Sequence, residues 1–114
     1  MQLEAFLAQL QQNPQQIEFT DTMSVIDANY QFNPTVFNNG SLFNAASQNN
    51  GSCKIFAFGK LHKLSEQQTL ACFGTYYRDD VLQNPTGDGH QNIRKFMLTG
   101  WDGIKFESAA LVAK

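Results

Sequence analysis

The chain has 114 residues, a net charge of −2 and only 16% charged residues, against 42% hydrophobic residues. That length fits a single domain over residues 1–114 with enough apolar material to bury a core. Its scattered Lys and Arg residues form no basic stripe, which argues against a nucleic-acid partner, and no apolar run approaches the roughly 18 residues that cross a bilayer.

Leu3, Phe6, Leu7 and Leu10 recur at i, i+3, i+4 and i+7 and predict an amphipathic helix. Glu4 inside that pattern, and the lack of a basic stretch before it, separate this segment from a cleaved signal peptide. Asn13-Pro14 ends it, because a residue before proline avoids helical geometry. Thr20 is placed to cap a second helix with Phe19, Met23, Ile26 and Tyr30 on one side, closed at Asn33-Pro34.

Residues 35–44 predict a hairpin. Asn39-Gly40 tolerates positive φ in a two-residue turn, and the register would pair Phe37 with Leu42. Asn39-Gly40-Ser41 and Asn50-Gly51-Ser52 match a glycosylation acceptor but read as turns. Asn38, Asn44, Asn49 and Asn50 read the same way, with a polar groove as the rival.

Segment 53–64 is open between helix and strand, because Ile55-Phe56-Ala57-Phe58 is apolar all round. Ser65-Glu66-Gln67-Gln68 is a capping box that opens one continuous helix with Leu70, Phe73, Tyr77 and Val81 along its stripe, ended by Asn84-Pro85. A fifth helix carries Ile93, Phe96 and Met97 inward and stops at Gly100. Residues 104–107 alternate like a strand with one buried face, able to join the hairpin, and the tail from Ser108 reads as helical or frayed. The expected class is α+β, with about five helices against a small antiparallel sheet.

Two cysteines, Cys53 and Cys72, are too few for a disulfide framework, and their spacing fits no CxxC motif. Free thiols in a reducing compartment are expected, Cys72 in a structural role. Placed in the first turn of a helix capped by Ser52, Cys53 would have a favoured thiolate. His90 downstream, with Asp88 and Asn92 beside it, would complete the chain order of a thiol hydrolase or transferase. The competing and preferred reading makes Cys53 a small buried residue. His62 and His90 lack a regular spacing and His62 sits among lysines, so no metal site is assigned. No cofactor motif is present and none is expected. Tyr76, Arg78 and Trp101 are candidate binding residues, with Arg78 expected to bond a loop carboxylate such as Asp88, and Tyr76 and Trp101 to share an exposed aromatic patch. Enzymatic activity is the less favoured reading.

The run Thr69 to Leu82, then Asn84-Pro85, His90 to Arg94, Phe96-Met97 and Gly100-Trp101, resembles the HopJ family of type III effector proteins. So do Asp21-Thr22-Met23, Ile26 to Tyr30, Phe37 to Gly40 and Asn49 to Cys53, and the resemblance spans Leu3 to Lys114. It implies a bacterial protein, either cytoplasmic or injected into a host cell by a type III system; similar proteins also occur in free-living aquatic bacteria. It carries over no catalytic residue. The expected function is a cofactor-free binding or interaction domain whose partner is a protein or a small polar ligand.

Overall fold

A computed structural model describes residues 2–114. In chain order the elements are α1 (Leu3–Gln12), a 3-10 turn (Pro14–Gln16), α2 (Phe19–Asn29), β1 (Tyr30–Phe32), β2 (Phe37–Asn39), β3 (Leu42–Asn44), α3 (Asn50–Leu61) and α4 (Glu66–Ala71). A π-helical turn (Tyr76–Val81), α5 (Gln91–Thr99), a 3-10 turn (Gly100–Gly103), β4 (Ile104–Phe106) and β5 (Leu111–Ala113) complete them. The class is α+β, with both sheets antiparallel: β3-β2-β4, and a separate pair, β1-β5.

Helix α3 is the axis of the core. Ile55, Phe56, Ala57 and Phe58 are all buried, so a run that is apolar on every side is covered on every side. Phe56 meets Phe37, Phe73 and Phe96, while Phe58 meets Phe6 of α1 edge-on. Length decides between helix and strand here: twelve residues suit a helix and exceed a typical buried strand. The helix also starts before Ser52, at Asn50, so Asn50-Gly51-Ser52 is its first turn and not a loop.

The second helix ends earlier than expected. Asn29 terminates α2, its side-chain amide donating to the Val25 carbonyl, and the chain passes directly into β1. Tyr30 is therefore a strand residue. The tail that reads as helical or frayed is β5, paired with β1 through Tyr30↔Ala113 and Phe32↔Leu111. Three-residue strands are too short to show a period, so the pairing leaves little mark on the sequence. At the N-terminus of α2 the cap is Glu18, not Thr20; the Glu18 N–H donates to the Asp21 carboxylate.

The hairpin and residues 104–106 form one sheet, with Phe37 facing Phe106. Its turn lies one residue later than predicted. Gly40-Ser41 is the tip, Asn39 pairs with Leu42, and Phe37 faces Asn44. The cause is Asn39, which is fully buried and donates to Asn92 of α5, so it belongs to the strand.

The helix predicted from Ser65 to Asn84 is broken. The capping box holds, with Ser65 and Gln68 bonding reciprocally, but α4 stops at Ala71. Gly74 then adopts φ +61, and a Cβ there would lie 2.6 Å from the Phe19 backbone nitrogen. A side chain at this position would push α2 away. The Thr22 hydroxyl seals the junction by donating to the Cys72 carbonyl at 2.9 Å. Beyond the break the chain winds as a π-helical turn, a form that recurs at functional sites. In α5, Ile93 and Phe96 point inward as expected, whereas Met97 is nearly half exposed.

Candidate functional site: an amide-floored, aromatic-walled cleft

Helices α3 and α5 both begin after a residue in left-handed geometry: Asn49 at φ 53 and His90 at φ 56. Neither residue's side chain caps its helix. First-turn N–H groups have no intrahelical partner, so each start presents backbone donors. The two starts border one open cleft of about 510 Å³, within the size range of small-ligand sites.

Its floor is amide. Asn92 sits in the first turn of α5, in phase with Phe96 one turn on, and is buried. Its Nδ2 donates to Asn44 Oδ1 at 2.9 Å, and its Oδ1 accepts from Asn44 Nδ2 at 3.1 Å and from Asn39 Nδ2 at 3.0 Å. Asn49 adds a bond from its Nδ2 to Asn44 Oδ1 at 2.7 Å. Four asparagines from the hairpin, the loop after it and α5 thus form one connected network. Such a network fixes the relative positions of its elements, because each amide tolerates few orientations. Asn44, Asn49 and Asn92 line the cleft beside Ser52 and Gln91. Asn38, grouped with them in the sequence, is exposed on the strand face.

The walls are aromatic. Phe19, Phe73 and Tyr76 come from α2, the turn after α4 and the π-helical turn, with Phe43 on the rim from β3. Phe19 and Tyr76 meet edge-on at 5.0 Å, and Tyr76 lies against the His90 ring at 5.0 Å with a tilt of 33°. His90 Nε2 is 3.1 Å from the Asp80 carboxylate. Asp80, not Asp88, is therefore the acid that orients the ring. The Asp88 backbone carbonyl accepts from the Gln91 side chain instead.

Two arginines hold this arrangement from outside. Arg94 donates to the carbonyls of Asn84 and Gly89, at 2.9 and 2.6 Å, and pins the loop that presents His90. Arg78 donates to the Ile17 carbonyl at 2.8 Å and to the Glu18 carboxylate at 3.1 Å, which fixes the start of α2 and so the Phe19 wall. The expected Arg78–Asp88 pair does not form; Arg78 faces the α2 side of its turn.

The sequence candidates scatter accordingly. His90 and Tyr76 line the cleft; Cys53 does not, although its neighbour Ser52 does. Cys53 is the fourth residue of α3, and its own N–H is already bonded to the Asn49 carbonyl. It is buried, and burial pushes its thiol up, partly offset by a hydrogen bond with the Thr35 backbone. That is opposite to what a nucleophile needs. Cys72 is buried as well, its thiol pushed up to about 12. Trp101 lies on another face, its indole against Phe96 and its ring N–H donating to the Leu64 carbonyl at 3.0 Å. Tyr76, Arg78 and Trp101 thus border three different depressions and share no aromatic patch.

Sequence reasoning missed Phe19, Phe43, Phe73 and Gln91, and it used Asn92 only as a possible orienter for His90. The available signal was Asn92: an amide four residues before Phe96 occupies the buried phase of a helix, where a polar side chain needs a partner.

Among protein families, the chain matches the HopJ type III effector protein over residues 3–111. No curated protein matches it. It is similar to a solved structure described as the crystal structure of unknown function protein VPA0580, at 57% identity and a TM-score of 0.98, covering 100% of this chain and 95% of that one. A family match over nearly the whole length, on a fold held in common, places this chain in the HopJ type III effector family.

Proposed function

We propose that this HopJ protein acts by binding, without a cofactor, and that its working surface is the cleft between the starts of α3 and α5. The observation that carries this reading is the floor: a connected set of asparagines that is largely buried yet opens on a cavity of about 510 Å³. Buried amides held rigid in a concave surface give directional, water-poor recognition of polar groups. Membership in the HopJ family supports delivery into a host cell through a type III system, where a compact binder would act on a host ligand.

Amide NMR spectra of the full chain, recorded against a chemically diverse set of small polar fragments, test the reading. Fragments should shift the backbone resonances of Ser52, Gln91 and Asn92 together. Hits that cluster on another face, or none at all, would overturn it. The thiol-enzyme alternative has less support, because His90 lines this cleft while Cys53 is buried behind it and is not among the lining residues.

A further inference from the structure

Resting on that binding reading, we infer that the cleft takes a neutral polyhydroxylated ligand, a sugar or short oligosaccharide. Three features point there. First, among the described residues no Lys, Arg, Asp or Glu lines the cavity. His90 is its one basic side chain, and Asp80 already sits on Nε2. The two helix starts offer backbone N–H donors that a hydroxyl oxygen accepts as an anion does, and no unpaired side-chain cation stands beside them to favour the anion. Second, Asn44 and Asn92 are largely spent on one another, and the polar side chains at the cleft with bonding capacity left over are the amides of Asn49 and Gln91 and the hydroxyls of Ser52 and Tyr76. Both kinds donate and accept, as do the hydroxyls of a sugar.

Third, two of the rings at the cleft stand open to solvent. Phe43 is 62% exposed and Tyr76 is 40% exposed, in a protein whose other phenylalanines are mostly buried. A pyranose has an apolar C–H face and a polar rim, and it needs this combination: a flat ring to lie on and amides to meet its edge. An extended peptide would use a strand edge or an apolar groove instead; the edge strand at the cleft, β3, is only three residues long and offers a peptide little to pair with.

The test is titration of the full chain with neutral sugars, glucose, N-acetylglucosamine, cellobiose and maltose, with galacturonate and inorganic phosphate as charged comparators, followed by amide NMR. At least one neutral sugar should shift Ser52, Gln91 and Asn92, and the charged probes should add nothing beyond it. Phe43→Ala and Tyr76→Ala should each weaken that binding about five- to tenfold, the loss of one ring contact. Their urea midpoints should stay near that of the unaltered protein, because both rings are substantially exposed. Phosphate or galacturonate shifting the cleft while every neutral sugar fails would overturn the inference in favour of an anion. Shifts confined to another face, or wild-type affinity in both variants, would overturn it as well. If diverse polar fragments occupy the cleft and no sugar does, the sugar assignment falls while the binding reading stands. If neither does, both fall.

Discussion

The two halves of this interior are held by opposite means. Around the middle of α3 the contacts are phenylalanine on phenylalanine, with Phe56 and Phe58 fully buried and no polar atom in their side chains. Around the start of α5 the buried side chains include the amides of Asn39, Asn44 and Asn92, joined to one another by bonds of 2.9 to 3.1 Å. The first kind of interior is non-directional and scales with area removed from water. The second contributes little net stability per bond but fixes orientation strongly. An open cleft beside the amides fits that division: the dry half holds the fold, and the amide half holds a surface in shape.

The largest expected effect is in the dry half. Phe56→Ala should cost about 4 kcal/mol, the usual toll for emptying a packed aromatic site. In a domain whose total stability is of order 5–15 kcal/mol, that removes from about a quarter to most of it. Urea denaturation checks this through the midpoint at constant slope. A loss below about 1 kcal/mol would mean that the aromatic cluster collapses readily into the gap, and the contrast between the halves would weaken.

In the amide half Asn92→Ala should cost about 2 kcal/mol, because donors on Asn39 and Asn44 lose their acceptor without leaving the interior. Asn38→Ala, on the exposed face of the same hairpin, should stay within about 0.5 kcal/mol. A double-mutant cycle joining Asn44→Ala and Asn92→Ala sharpens the point. Reciprocal bonding predicts a coupling of about 1 kcal/mol, and additivity would show that the network is only a crowd of independent bonds.

The same division decides how much was legible in the sequence. Helices α1 and α5 announce themselves because apolar residues repeat with the helical period, whereas the α3 run, apolar all round, shows its burial and not its period. The hairpin was located, and only its register slipped by one turn residue. The amide half was hidden because an asparagine beside a glycine reads as turn chemistry, and Asn39 does stand beside the turn while its side chain points into the core. The break at Gly74 was hidden for another reason. Its glycine is demanded by the Phe19 backbone, more than 50 residues earlier in the chain, and no local pattern encodes a distant close approach. Of the candidate site, His90 and Tyr76 were legible as polar and aromatic loop or helix-end residues. Their wall partner Phe19 read as an ordinary member of a helix stripe.

A smaller effect probes the boundary between the halves. Cys53 lies in α3 one residue past Ser52, which lines the cleft, yet it is buried and its thiol is pushed up. Alkylation by iodoacetamide at neutral pH should therefore proceed only as fast as the protein opens, and Cys53 and Cys72 should react together. Mass spectrometry of partly modified samples reads this directly. Selective, rapid labelling of Cys53 would move the boundary inward and return the thiol to consideration as a nucleophile.

The smallest effect tests whether the dry half is closed at its far end. His62 follows α3, lies against Phe58 at 4.5 Å between ring centres, and shares a 2.7 Å hydrogen bond with the Tyr30 hydroxyl of β1. Burial lowers its pKa from the ordinary value of 6.5, since a charged ring is disfavoured there. The unfolded chain then binds more protons than the folded one between the lowered value and 6.5, so stability rises with pH across that window. The contribution is complete above 6.5 and is lost as pH falls through the folded value. His62→Gln, which removes the titration, should flatten this part of the urea-midpoint profile without changing its upper plateau by much. An asparagine amide does not titrate, so Asn92→Ala should lower the whole profile and leave its slope alone. If the His62 variant keeps the same slope, the acid sensitivity lies elsewhere, and the far end of α3 is wetter than its packing against Phe58 implies.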